Sequence, residues 1–101
     1  MKAAERGDQW RLLEADGSLT FRLRAGAVKT LGRAPRADFI VNRALVSRLH
    51  CQLTAGPDKL EVEDLKSTNG TFVNDKRIKR GELTSGDRLK LGRTELTVEK
   101  L

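Results

Sequence analysis

Leu60-Glu61-Val62-Glu63-Asp64-Leu65-Lys66-Ser67-Thr68-Asn69-Gly70-Thr71-Phe72-Val73-Asn74 holds the pattern from which the rest of the chain can be read. Leu60 to Glu63 alternates apolar and polar side chains, the period of two that places every second residue on one face of a strand. Ser67-Thr68-Asn69-Gly70 interrupts that pattern. Asn and Gly tolerate positive φ and the hydroxyls can satisfy local backbone groups, so the segment reads as a turn, with a second strand-like run beyond it.

Moving outward, the same alternation returns in Leu19-Thr20-Phe21-Arg22-Leu23, Arg88-Leu89-Lys90-Leu91 and Leu96-Thr97-Val98-Glu99. Turn signals separate these runs at Asp16-Gly17, Gly56-Pro57-Asp58, Asn69-Gly70, Asn74-Asp75, Ser85-Gly86-Asp87 and Gly92, leaving no room for long helices. Many short strands with regular turns predict an all-β protein, an antiparallel β-sandwich or barrel. The first fifteen residues are ambiguous, because Trp10, Leu12 and Leu13 fit one face of a helical turn as well as a strand. Strand is preferred, since Asp16-Gly17 then closes a hairpin onto Leu19 to Leu23. No linker, repeat or low-complexity tract divides the chain, so residues 1–101 read as a single domain.

Apolar residues make up 38% of the chain and aromatics 4%, so the core has to come mainly from Leu, Val and Ile, with Trp10, Phe21, Phe39 and Phe72 as its large anchors. A net charge of +6 raises nucleic acid, anionic membrane and acidic protein as partners. The cations interleave with acids, however, and the densest group, Lys76-Arg77-Ile78-Lys79-Arg80, reads as a solvated basic turn, with a contact surface for anions as the alternative. Cys51 is the one cysteine, which excludes an intrachain disulfide and fits a reducing compartment. Within its apolar run it reads as a small buried residue. No stretch has the length and apolarity of a signal peptide or a membrane span, so an intracellular location is expected, cytoplasmic or, in a eukaryote, nuclear, with no membrane partner.

Three clusters of chemically capable residues lie at strand-like edges: Gly32-Arg33, Val46-Ser47-Arg48-Leu49-His50 and the segment from Asp64 to Asn74. Ser47 and His50 invite a hydrolase reading, but a triad needs an orienting partner and an oxyanion hole, and neither is evident. His50, beside Leu49 and Cys51, reads as a structural histidine, and the chain as a non-enzyme. One His and one Cys cannot supply a zinc site, so no metal and no cofactor is expected. No glycine-rich phosphate loop precedes a helix, which removes nucleotide hydrolysis and leaves no small-molecule substrate. Two arginines, hydroxyls, a side-chain amide and a permissive glycine on neighbouring loops form a donor-rich site, which suits a phosphate.

In order along the chain, Gly32-Arg33, Asp38-Phe39-Ile40, Val46-Ser47-Arg48-Leu49-His50-Cys51, Asp64-Leu65 with Ser67 to Asn74, and Gly86-Asp87-Arg88-Leu89 resemble the fork-head-associated (FHA) domain family, from about Thr30 to Gly92. Asp75 departs from it, standing where the family usually has glycine. The resemblance implies a sandwich of about eleven strands with binding loops at one end, serving as a phosphothreonine-dependent peptide or protein binding module of intracellular signalling or assembly. It also implies that Arg33 contacts the phosphate or the nearby peptide backbone, that Ser47 and Thr68 hydrogen-bond the phosphate, that Arg48 adds charge, and that Asn69 holds the peptide backbone past the phosphothreonine. Leu45 would favour an aliphatic side chain at the third peptide position after it, with Arg43 as the other candidate reader. Gly32, His50 and Gly70 would be structural. The rival, a basic nucleic-acid-binding domain, explains the charge but not the ordered motifs. The absence of Tyr argues against base stacking, so nucleic acid is disfavoured.

Overall fold

Each alternating segment has one apolar face that needs cover from a second layer, and the strands so formed pair into two sheets. The computed structural model describes residues 9–101. The reading of the opening segment as strand therefore lies partly outside the described residues, over 1–8. The strands are β1 (Gln9–Leu13), β2 (Thr20–Arg24), β3 (Val28–Gly32), β4 (Phe39–Ile40), β5 (Cys51–Ala55), β6 (Leu60–Asp64), β7 (Thr71–Val73), β8 (Lys76–Ile78), β9 (Arg80–Leu83), β10 (Arg88–Leu91) and β11 (Thr94–Lys100). No helix occurs among the described residues.

Six strands form one sheet in the order β2-β1-β11-β10-β7-β8, and five form the other, β4-β3-β5-β6-β9. The fold is a sandwich. Every pairing is antiparallel except β3 with β4, which run parallel with Leu31 opposite Phe39. Trp10, Leu12 and Leu13 are strand, and β1 pairs with β2 as the Asp16-Gly17 hairpin requires.

The inward faces meet in a core of Trp10, Leu12, Leu31, Leu53, Leu60, Leu83, Leu89, Leu91 and Leu96, all fully buried. The indole N–H of Trp10 donates to the Gly56 carbonyl at 2.8 Å, which removes the cost of burying it. Cys51 is also fully buried, and that desolvation pushes its thiol pKa up, as suits an inert core residue. Phe21 and Phe39 stack at 4.7 Å and pack against this core. Phe72 does not join them. Thr71 and Val73 face inward, so alternation turns Phe72 to the outer face, where the Lys90 ammonium sits 5.0 Å from its ring.

The basic run is not the solvated turn expected of it. Lys76–Ile78 forms the edge of the larger sheet and Arg80–Leu83 the edge of the smaller, so the chain crosses between sheets at Lys79. Ile78, paired with Thr71 and packed on the core, makes the difference. The flanking cations keep both edges from recruiting further strands. Before β8, Asn74 and Asp75 both adopt positive φ, 49° and 71°, the backbone of a tight two-residue hairpin. The family's usual glycine is thus absent without loss of the turn, and the Asp75 carboxylate instead accepts from Arg88 at 2.8 Å.

Candidate functional site

The loops after β3, β4 and β6 are drawn together by backbone hydrogen bonds. Arg33 N–H donates to Ser47 O at 2.9 Å, Ala34 N–H to Arg48 O at 3.0 Å, and Leu65 N–H to His50 O at 2.9 Å. Gly32 permits the closest of these approaches. A Cβ there would stand 2.0 Å from the Arg48 carbonyl oxygen, so no other residue fits without moving the loop.

Behind the loops lies a closed polar network. Asp64 accepts from the hydroxyls of Ser67 at 2.5 Å and Thr71 at 2.7 Å, while Ser67 Oγ accepts the Gly70 N–H at 3.0 Å. Partial burial pushes the Asp64 pKa up, but the hydrogen bonds from Ser67 and Thr71 outweigh it and hold the carboxyl below its ordinary range. His50 is fully buried and ties two loops at once. Its Nδ1 accepts the Ser47 N–H at 3.0 Å, which fixes the proton on Nε2, and Nε2–H donates to Gly70 O at 2.8 Å. Desolvation lowers its pKa, so the ring is neutral at neutral pH.

That arrangement removes the hydrolase reading. Both ring nitrogens of His50 are engaged with backbone groups, leaving none to take a proton from the Ser47 hydroxyl. Among the described residues no cluster of His, Cys, Asp or Glu is arranged to hold a metal ion, and no helix is long and apolar enough to cross a membrane.

In front of the loops the polar groups behave differently. Arg33 Nε–H donates to Val46 O at 3.0 Å, Ser47 Oγ accepts the Thr68 N–H at 3.1 Å, and Asn69 Nδ2 donates to Leu45 O at 3.0 Å. Each of these bonds ties one loop to another and uses only part of the side chain's capacity. Among the described residues, the terminal guanidinium nitrogens of Arg33, the hydroxyl protons of Ser47 and Thr68, and one N–H and the side-chain carbonyl of Asn69 have no partner. Arg33, Ser47, Thr68, Asn69 and Leu45 line one basin of about 450 Å³, together with Asn42, Arg43, Ala44 and Val46. Arg48 is exposed beside Ser47 but does not line it.

Leu45 and Gly70 show how the rim is shaped. Leu45 holds φ at 71°, a left-handed conformation costly for a leucine, and its side chain stays 44% exposed. The Gly92 turn presses on it from behind, since a Cβ at Gly92 would lie 2.6 Å from Leu45 O. In the sequence Gly92 is legible only as a turn. Gly70, at φ 95°, leaves room for the Arg77 guanidinium, whose Nε would lie 2.8 Å from a Cβ there. Arg43, weighed as a reader of the bound chain, pairs with Glu14 at 2.8 Å although it also lines the basin. The Asp64, Ser67 and Thr71 network went unnoticed as a unit. Its signal was the Asp64-x-x-Ser67 spacing, which allows a side chain to close its own turn.

The FHA domain family model matches residues 29–92. The chain belongs to that family. An FHA domain solved for structural and functional analysis of phosphothreonine-dependent FHA domain interactions superposes with a TM-score of 0.82 at 35% identity, covering 90% of this chain and 95% of that one. The chain is 40% identical to the ABC transporter ATP-binding/permease protein Rv1747 of Mycobacterium tuberculosis over 79% of its own length and 9% of that protein. It is 31% identical to the glycogen accumulation regulator GarA of the same species over 69% of its own length and 43% of GarA. The chain thus spans less than half the length of these relatives. As an FHA domain it is a phosphothreonine-dependent binding module.

Proposed function

We propose that this FHA domain docks a phosphothreonine-bearing protein segment in the basin between the β3–β4, β4–β5 and β6–β7 loops. The observation that carries the reading is the convergence there of unpaired donors on loops already tied to one another. A phosphothreonine brings a charge near −2 and three strong acceptor oxygens. Arg33 would reach the phosphate through its terminal nitrogens, while Ser47 and Thr68 donate their hydroxyl protons. Each charge-assisted bond is worth about 1.5–3 kcal/mol, so two or three separate a phosphorylated from an unmodified segment decisively.

Asn69 keeps one N–H and its carbonyl oxygen for a peptide backbone, which needs both a donor and an acceptor. Arg48 acts from beside the basin through its charge. Leu45 presents an aliphatic side chain where the third residue after the phosphothreonine would lie. Because the loops are bonded to each other before any ligand arrives, little ordering cost remains on binding. Residues 1–101 would act as one such domain, inside the cell, where threonine phosphorylation and a reduced cysteine coexist.

The experiment is a calorimetric titration with a degenerate phosphothreonine peptide library beside its unphosphorylated copy, repeated across ionic strength. Binding only to the phosphorylated library, with a shallow salt dependence, is the expected result. Sub-micromolar binding of duplex or single-stranded nucleic acid at physiological salt, with no peptide binding, would hand the function to the rival reading. A nucleic-acid interface would also show the steep salt slope of counterion release.

A further inference from the structure

A second hollow, of about 590 Å³, shares no lining residue with the basin. Lys66, Arg77, Lys79 and Arg80 line it against Glu63 and Asp64. The two acids do not balance the four cations. Glu63 is within 3.3 Å of Arg80, and Asp64 directs its oxygens to Ser67 and Thr71. Among the described residues, Lys66, Arg77 and Lys79 have no carboxylate at ion-pair distance. Like charges gathered without counter-charges raise the local positive potential and favour an acidic partner at this surface.

The hollow is also joined to the proposed phosphate site. Lys66 and Ser67 line the hollow, and the next two residues, Thr68 and Asn69, line the basin. Arg77 is fitted against the same loop through the space that Gly70 leaves. A segment that ran from Leu45 past Thr68 would leave the basin toward Lys66. If Asn69 and Leu45 take the residues after the phosphothreonine, the residues before it travel toward the hollow.

We propose that Lys66, Arg77 and Lys79 read acidic side chains placed within a few residues before the phosphothreonine of the bound protein. The inference rests on the phosphothreonine reading and narrows its partner to segments of the form acidic run, phosphothreonine, then an aliphatic third residue. Surface ion pairs contribute about 0.3–1 kcal/mol each and fade with salt, so the acidic run tunes selection while the phosphate supplies the main affinity.

The test titrates the full chain with phosphothreonine peptides that share one core and differ in the four preceding residues, all acidic or all neutral amides. A third peptide carries the acidic run after the core instead. The partner variant is Lys66→Asn/Arg77→Gln/Lys79→Gln, in which Asn suits the positive φ of 59° at position 66. On the wild type, the preceding acidic run is expected to tighten binding about five- to tenfold at low salt. In the variant that gain disappears while affinity for the neutral peptide is unchanged. An equal gain in the variant, no gain on the wild type, or an equal gain from the trailing run would overturn the proposal. Failure of all three phosphopeptides on the wild type would overturn the phosphothreonine reading as well. An oligonucleotide that outcompetes the acidic peptide at this surface would assign it to nucleic acid and overturn it too.

Discussion

Ser67 and Thr68 are neighbours on the β6–β7 loop, Thr71 opens the strand that follows, and Ser47 accepts the Thr68 N–H from the loop before β5. Yet Ser67 and Thr71 are 8% and 0% exposed with their protons committed to Asp64, whereas Ser47 is half-buried, Thr68 is exposed, and their protons are uncommitted. Identical chemistry thus has two uses within a few residues. Hydroxyls whose bonds are completed inside the protein hold the loops, and those left incomplete at the surface are available to a ligand.

The largest effect expected from this contrast is on stability at the inner set. Asp64→Ala leaves the buried hydroxyls of Ser67 and Thr71 without their acceptor, at about 1–3 kcal/mol each. Chemical denaturation is expected to show a loss of at least about 2 kcal/mol, and a loss under about 0.5 kcal/mol would show that the network does not hold the loops. The outer set is expected to behave in the opposite way. Thr68→Ala and Arg33→Ala should change stability by less than about 0.5 kcal/mol while weakening phosphopeptide binding at least tenfold, or about 1.4 kcal/mol. A folded Arg33→Ala chain with unaltered affinity would remove Arg33 from the site.

The inner set also sets a pH response. His50 has a folded pKa below its ordinary 6.5, so the unfolded chain takes up a proton where the folded chain does not. Stability is therefore complete above that ordinary value and is lost as pH falls below it. Asp64, also lowered, adds a loss further down, below the ordinary aspartate value of 3.8. His50 is the only histidine, so denaturation midpoints between pH 8 and 5 report on it. A His50→Gln variant is expected to show a flatter profile over that span. Stability that increased as pH fell through 6 would contradict a neutral, doubly bonded imidazole.

These regions differ in how far the sequence revealed them. Strands β6, β10 and β11 were legible because one face is buried and the other solvated, which imprints a period of two. β3 lacks that imprint, with exposure running from exposed through half-buried to buried along Val28–Gly32, and β4 is too short to show a period. The outward turn of Phe72 was readable from Thr71-Phe72-Val73 once the inward neighbours are weighted. The outer residues, proposed as the site, are legible because they sit on turns in a recognisable order. The inner network is not, since Thr71 meets Asp64 only after the loop closes, and the Arg43–Glu14 pair joins residues far apart in the chain.

Smaller effects sharpen the outer set. The phosphothreonine methyl group is proposed to meet the loop around Thr68 and Asn69, and burying one methyl is worth about 0.8 kcal/mol. Matched phosphothreonine and phosphoserine peptides are then expected to differ about fourfold in affinity, and equal binding would count against a methyl contact. Smallest of all, Leu45→Asn relieves a leucine held at φ 71° and is expected to gain a few tenths of a kcal/mol in stability. The same change is expected to abolish the preference for an aliphatic third residue in a peptide library. An unchanged preference would move that reading to another residue on the rim.

The most direct measurement is a two-dimensional NMR titration of the isotopically labelled chain with one peptide, first unphosphorylated and then phosphorylated on its threonine. No movement is expected with the first. With the second, displaced signals are expected at the backbone amides of Arg33, Ser47, Thr68 and Asn69 and at the side chains of Arg33 and Asn69, with the His50 and Asp64 network in place. Equal shifts from both peptides, or shifts confined to Lys76 through Arg80, would contradict a phosphothreonine site in the basin.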